Sequence, residues 1–216
     1  MFQLPSSQKS FLQLLYKSQT GLGYSFLVAF VVACLGIGCG KTEPAINFQV
    51  STLGKVASLT RYTGESMIVR IPSKIGGRKV VAIENCAFEG CSGIVILTIP
   101  SNVTKIGEDA FAYCAGLEDV KIPSSVTEIG KGAFEGCTGL TSVEIPSSVT
   151  EIGEDAFKGC TGLTSMEIPL SVTVIGKGAF RGCFGLVHVH MPKSFAYYNP
   201  KYNLELPVSC KIIFNK

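Results

Sequence analysis

From about residue 62 onward the chain repeats one arrangement of apolar and polar positions. Ile-Pro occurs at Ile71-Pro72, Ile99-Pro100, Ile122-Pro123, Ile145-Pro146 and Ile168-Pro169, then returns as Met191-Pro192. The first step is 28 residues and the next four are 23 each. Phe88, Phe111, Phe134, Phe157 and Phe180 keep the 23-residue step, and so do Ile94, Leu117, Leu140, Leu163 and Leu186. Between Ile122–Glu144 and Ile145–Glu167 nineteen of 23 residues are identical. A fixed period of this size marks a stacked repeat, in which equivalent side chains fall into columns.

Within a unit, Leu140-Thr141-Ser142-Val143-Glu144-Ile145 predicts a short strand, with Val143 and Ile145 on one face and Ser142 and Glu144 on the other. Pro146 has no amide to donate and ends the ladder. Val149 and Ile152-Gly153 predict a second extended piece. Asp155 to Cys160 predicts a single helical turn closed by Gly159, and Gly162 leads into the next strand. A 23-residue rung has too few apolar side chains to offset the entropy of fixing its backbone, so it folds only by stacking on its neighbours. The expected architecture is therefore a β-rich α/β solenoid of parallel short strands and single helical turns, with about five to six rungs.

The amino terminus is different. No charge falls between Lys17 and Lys41, Leu22 to Cys39 is almost wholly apolar, and Lys9 and Lys17 precede it without an acid. That is the layout of an export leader. Val31-Val32-Ala33-Cys34 resembles a lipoprotein cleavage box and Gly38-Cys39 offers a second, so Cys34 and Cys39 are the lipidation candidates. An uncleaved transmembrane helix is the alternative, since about 20 apolar residues span a bilayer. Either way the remainder is expected outside the cytoplasm, secreted or at the cell surface. The organisation predicted is a leader or anchor over 1–40, an amino-terminal cap over 41–65, repeats over 66–192 and a carboxy-terminal cap over 193–216.

Composition narrows the function classes. The formal charge of +3 comes without any basic run, which excludes a nucleic-acid partner. Of nine cysteines, Cys91, Cys114, Cys137, Cys160 and Cys183 follow the 23-residue period and form no CxxC pair. They are expected as a ladder of buried free thiols. Cys86 takes the place of Asp109 and Asp155 and is expected to be exposed. No nucleophile elbow, phosphate loop or HExxH motif occurs, and near-identical rungs set like groups in rows instead of converging unlike ones, so no enzyme and no cofactor is expected.

The pattern I-P-x-x-V-x-x-I-G-x-x-A-F-x-G-C-x-x-L-x-x-V-x, over Ile71 to Pro192, resembles the BspA-like class of leucine-rich repeats, a surface-protein family. Tyr62 to Ile83 resembles the longer first rung of that family and accounts for the 28-residue step. The resemblance implies adhesion or recognition at a bacterial surface, with a protein or glycan partner and host matrix among the candidates.

Outward strand positions form two rows, Ile96, Asp119, Ser142, Ser165, His188 and Thr98, Lys121, Glu144, Glu167, His190. They vary where the core does not, so Asp119, Lys121, Ser142, Glu144, Ser165, Glu167, His188 and His190 are the candidate binding residues. His188 and His190 with Glu167 also raise a metal site. Glu108, Lys131, Glu154 and Lys177 alternate in sign along one column, so adjacent rungs could pair weakly, and sliding the stack by one unit would oppose like charges, which makes setting the register their expected role. Asn102-Val103-Thr104 is a glycosylation sequon. Besides a binding scaffold, the alternatives are a structural envelope or self-assembly component and a metal-binding surface protein.

Overall fold

The computed structural model describes residues 42–198 and 203–215. The leader, with Cys34 and Cys39, lies outside the described residues. In chain order the strands are β1 (Phe48–Leu53), β2 (Val56–Tyr62), β3 (Ile68–Arg70), β4 (Lys74–Ile75), β5 (Arg78–Ile83), β6 (Ile96–Thr98) and β7 (Lys105–Ile106). They continue as β8 (Asp119–Lys121), β9 (Glu128–Ile129), β10 (Glu151–Ile152), β11 (Ser165–Glu167), β12 (Val174–Ile175), β13 (His188–Pro192) and β14 (Lys211–Asn215). Short 3-10 turns cover Ala45–Asn47 and Lys193–Tyr198.

These strands line two sides of a solenoid with rungs of about 23 residues. One side carries β1-β2-β5-β7-β9-β10-β12, and the other carries β3-β6-β8 and β11-β13-β14. Glu144 bridges to Lys121 and to Glu167, so the second side continues through seven levels from Ile68 to Lys211. Pairing between rungs is parallel. The antiparallel pairs are β1 with β2, which begins the stack, and β4 with β5. The latter hairpin turns at Gly76-Gly77, both with positive φ, and absorbs the five extra residues of the first step.

The third side differs from the sequence expectation. In place of a helical turn, alternate amides serve two directions. Asp155, Phe157 and Gly159 donate to the carbonyls of Lys177, Ala179 and Arg181 in the next rung, while Ala156, Lys158 and Cys160 turn back three residues. An α-turn would use the carbonyls along the chain and leave none for the neighbouring rung. The alternation requires left-handed backbone twice per rung. One column runs Cys86, Asp109, Gly132, Asp155, Gly178 and the other Gly90, Tyr113, Gly136, Gly159, Gly182, all with φ between 52 and 72°. Gly153 is required for a different reason: a Cβ there would lie 2.5 Å from the amide nitrogen of Lys131.

Inside, the expected columns are present. Phe88, Phe111, Phe134, Phe157 and Phe180 stack ring on ring at 5.0 to 5.7 Å, and Tyr62 and Phe48 extend the stack into the amino-terminal hairpin. Cys114, Cys137, Cys160 and Cys183 are buried free thiols, Cys91 is half-buried and Cys86 is exposed. Rows of hydroxyls add to the ladder, as where Thr150 Oγ1 donates to the Thr127 carbonyl and Ser148 Oγ to that of Val126.

The amino-terminal end is closed by a polar plug. Glu43 is buried and its Oε1 accepts from Tyr62 Oη at 2.9 Å, Asn47 Nδ2 at 2.6 Å and Ser66 Oγ at 3.0 Å. Burial and the Glu43 contact push the Tyr62 hydroxyl up to about 12. The Glu43 amide donates to the Arg70 carbonyl and so covers the open side of β3. Asn102 is likewise committed to structure, its Nδ2 bonding the carbonyls of Ser73 and Val80. Glycosylation at this sequon would replace one of the two amide hydrogens that link these carbonyls of the preceding rung.

Candidate binding surface

The register brings the sequence-predicted residues together. Asp119 lies beside Ile96, and Lys121 beside Thr98. Ser165 pairs with His188 and then Lys211, while Glu167 pairs with His190 and then Ile213. Asp119, Lys121, Ser142, Glu144, Ser165 and Glu167 are exposed; His188 and His190 are half-buried. Two side-by-side rows of outward groups therefore run along one side of the stack. Their inward neighbours Leu97, Val120, Met166 and Val189 are buried.

The rows have an unforeseen feature at their middle. Ser142 to Glu144 does not form a strand, and the ladder persists there only as the bridges of Glu144. Val143 is half-buried, unlike its equivalents in the rungs on either side. A cleft of about 440 Å³ opens at this level, lined by Ser142, Val143, Glu144, Ser165 and Glu167 among others. Glu144 and Glu167 are in parallel register, and like charges directly opposite one another weaken a ladder. The sequence carried this signal as Glu at both positions, read there as recognition and not as local loosening.

Two other expectations are corrected. Among the described residues no three His, Cys, Asp or Glu side chains converge as a metal site, so Glu167, His188 and His190 do not make one. Parallel in-register strands hold their side chains abreast, which suits a row better than a coordination sphere. Glu108, Lys131, Glu154 and Lys177 form none of the ion pairs among the described residues. Those lie in neighbouring columns, where Lys158 Nζ meets Glu135 Oε1 at 2.9 Å and Asp155 Oδ2 at 3.6 Å. Arg181 Nη2 meets the same Asp155 oxygen at 3.2 Å, and Tyr113 Oη donates to Glu135 at 3.0 Å. The signal was available in the few differences between units, since two of the four put Lys158 where Glu135 stands and Asp155 where Gly132 stands. Burial alone would raise Glu135, but hydrogen bonds from Lys158 and Tyr113 hold it below the ordinary carboxylate value.

Comparison with known proteins agrees with this geometry. The BspA type leucine rich repeat region matches in six copies over residues 80–202. Among solved structures, the leucine rich repeat protein of T. pallidum is 32% identical, with 82% of this chain and 83% of that one covered and a TM-score of 0.72. A leucine-rich repeat protein from Bacteroides ovatus is 34% identical over 68% of this chain and 42% of its own, with a TM-score of 0.62. The pneumococcal vaccine antigen PcpA shares the fold, at 19% identity and a TM-score of 0.56 over 81% of this chain and 49% of its own. No curated protein matches the chain in sequence. With matched repeats over more than half its length, this chain belongs to the BspA-type leucine-rich repeat proteins.

Proposed function

We propose that the chain is a recognition scaffold displayed at the cell surface, binding an extracellular protein or glycan through the two outward strand rows. One observation carries this reading: side chains alternate along each strand between an inward column that stays Leu, Val or Met and outward columns that change from rung to rung. A stack selected only for stability has no need of that division, whereas a scaffold presenting a changeable surface does. The middle cleft gives the otherwise even rows one recessed place, where Ser142, Glu144, Ser165 and Glu167 surround a space large enough for a side chain or sugar ring. The apolar leader with its Cys34 and Cys39 candidates supports display outside the cytoplasm, by lipid anchor or by membrane span. Catalysis is not part of the reading, because the rows repeat like groups and assemble no nucleophile with a base.

The test is binding of the purified chain to immobilised extracellular-matrix proteins and to a glycan array. Substituting Lys121, Glu144 and Glu167 together by Ala should abolish whatever binding is seen while leaving the melting profile nearly unchanged, since exposed positions each shift stability by about 0.5 kcal/mol or less. Binding that survives the triple change counts against the strand rows. Concentration-dependent sedimentation of the purified chain would favour the envelope or assembly role instead.

A further inference from the structure

Four surface positions change character in the last complete rung. Where one unit carries Ser147, Glu151, Thr161 and Thr164, the next carries Leu170, Val174, Phe184 and Val187 at the same places. All four reach solvent, with Phe184 79% and Leu170 65% exposed. From Ile99 to Ile168, by contrast, Tyr113 is the one large apolar side chain exposed to that degree. The segment that follows adds Val208, 89% exposed, which lines a shallow cleft of about 760 Å³ together with Phe184, Leu206 and Pro207.

Charge changes at the same level. Between Ile99 and Glu167 the sequence has eleven Asp or Glu against four Lys or Arg. From Ile168 to Lys216 it has one acid, Glu205, against six cations. Arg181 is already paired with Asp155, but Lys177, Lys193 and Lys211 are exposed and outside every ion pair of the described residues. The amino-terminal end is less segregated, with six cations and four acids between Thr42 and Thr98.

Exposed apolar side chains beside unpaired lysines suit a surface that is apolar beneath and anionic on top. We infer that the carboxy-terminal end of the solenoid docks on an anionic phospholipid bilayer, with Phe184, Val187 and Val208 entering the interface and Lys177, Lys193 and Lys211 supplying the attraction to lipid phosphates. The acidic middle rungs are repelled from the same surface, so the charge asymmetry orients the molecule with this end down. A second copy of the chain fits less well. Two such ends repel one another, the amino-terminal end exposes Ile46, Leu53 and Met67 but is also net cationic, and the acidic rungs offer no apolar counterpart beyond Tyr113. This docking uses residues outside the strand rows, so it and the recognition role can fail separately.

The chain has no tryptophan, so one introduced indole reports on a single place even when another segment tethers the protein to lipid. The full chain with Phe184→Trp should show blue-shifted emission, and quenching by brominated lipid, on phosphatidylcholine vesicles containing phosphatidylglycerol but not on phosphatidylcholine alone. Tyr113→Trp, in the acidic region, should respond to neither. Adding Lys177→Glu, Lys193→Glu and Lys211→Glu should remove the Phe184→Trp response, which salt should also weaken. An unchanged Phe184→Trp spectrum on anionic vesicles overturns the proposal, as does an equal response on neutral ones. A blue shift that grows with protein concentration in the absence of vesicles also overturns it and assigns the patch to a second copy.

Discussion

The thiol of Cys160 donates to the carbonyl oxygen of Phe134 at 3.1 Å, 26 residues earlier, so the cysteine of one rung is latched to the aromatic residue of the rung before it. Cys114, Cys137 and Cys183 repeat the contact with Phe88, Phe111 and Phe157. Burial pushes Cys137 up to about 12 and raises Cys114 as well. A thiol that is buried and hydrogen-bonded is a poor nucleophile, and at Cys114 and Cys137 burial also holds it protonated. At neutral pH a thiol reagent should therefore modify exposed Cys86 in the native chain and reach Cys114, Cys137, Cys160 and Cys183 only in denaturant, even though desolvation and Glu89 also raise Cys86. Peptide mapping by mass spectrometry reads the order; prompt labelling of Cys137 in the native chain would contradict the latch.

Phe134 sits at the centre of the ring column, fully buried and stacked at 5.2 Å on Phe111 and 5.3 Å on Phe157. Phe134→Ala should destabilise by about 3–5 kcal/mol, the range for removing a buried aromatic ring. Because each rung leans on its neighbours, the gap should also uncouple the two halves, so that urea unfolding by circular dichroism becomes two-step. A single transition at the wild-type midpoint would mean that the column relaxes around the gap.

How much of this was readable in advance follows from the period. Once Phe111, Phe134 and Phe157 recur at one spacing, their stacking follows from the repeat itself, and so do the inward and outward rows. The left-handed positions were visible only where glycine fills them. At Cys86, Asp109, Tyr113 and Asp155 a side chain conceals the same backbone, and propensity alone reads a helical turn. Ion pairing was misplaced because the side chains of Glu135 and Lys158 reach across the rung boundary while Glu108 and Lys131 do not. Local propensity contains no information about that reach.

The Glu135–Lys158 pair gives a pH signature. Glu135 is held below its unfolded value, so its stabilising contribution is present above the ordinary glutamate range and is lost as pH falls through its lowered folded value. Both side chains are partly exposed, at 18% and 31%, which limits the gain to roughly 0.2–1 kcal/mol. Glu135→Gln should lower the melting temperature slightly at neutral pH and have no effect in acid below that window. An equal loss at both pH values would assign the effect to packing against Tyr113 instead of to charge.

Glu144 decides whether the middle cleft is built by electrostatics. It lies between Lys121 and Glu167 in parallel register, and the ladder thins to a single bridge on each side of it. Glu144→Thr removes the repulsion by Glu167 together with the attraction to Lys121 and introduces a residue that favours strands, so it should stabilise by roughly 0.2–1 kcal/mol through strand preference and slow hydrogen exchange near Val143 as the rung closes. Glu144→Lys is the informative partner, because it attracts Glu167 but opposes Lys121, exchanging one like pair for another with no net gain. If Glu144→Thr leaves exchange at Val143 unchanged, the cleft is set by the backbone of Thr141 and Ser142. If both variants close it, carboxylate repulsion is specific to Glu144 and Glu167, and any ligand that enters must offset that repulsion, which favours a partner presenting a cationic group at this point of the row.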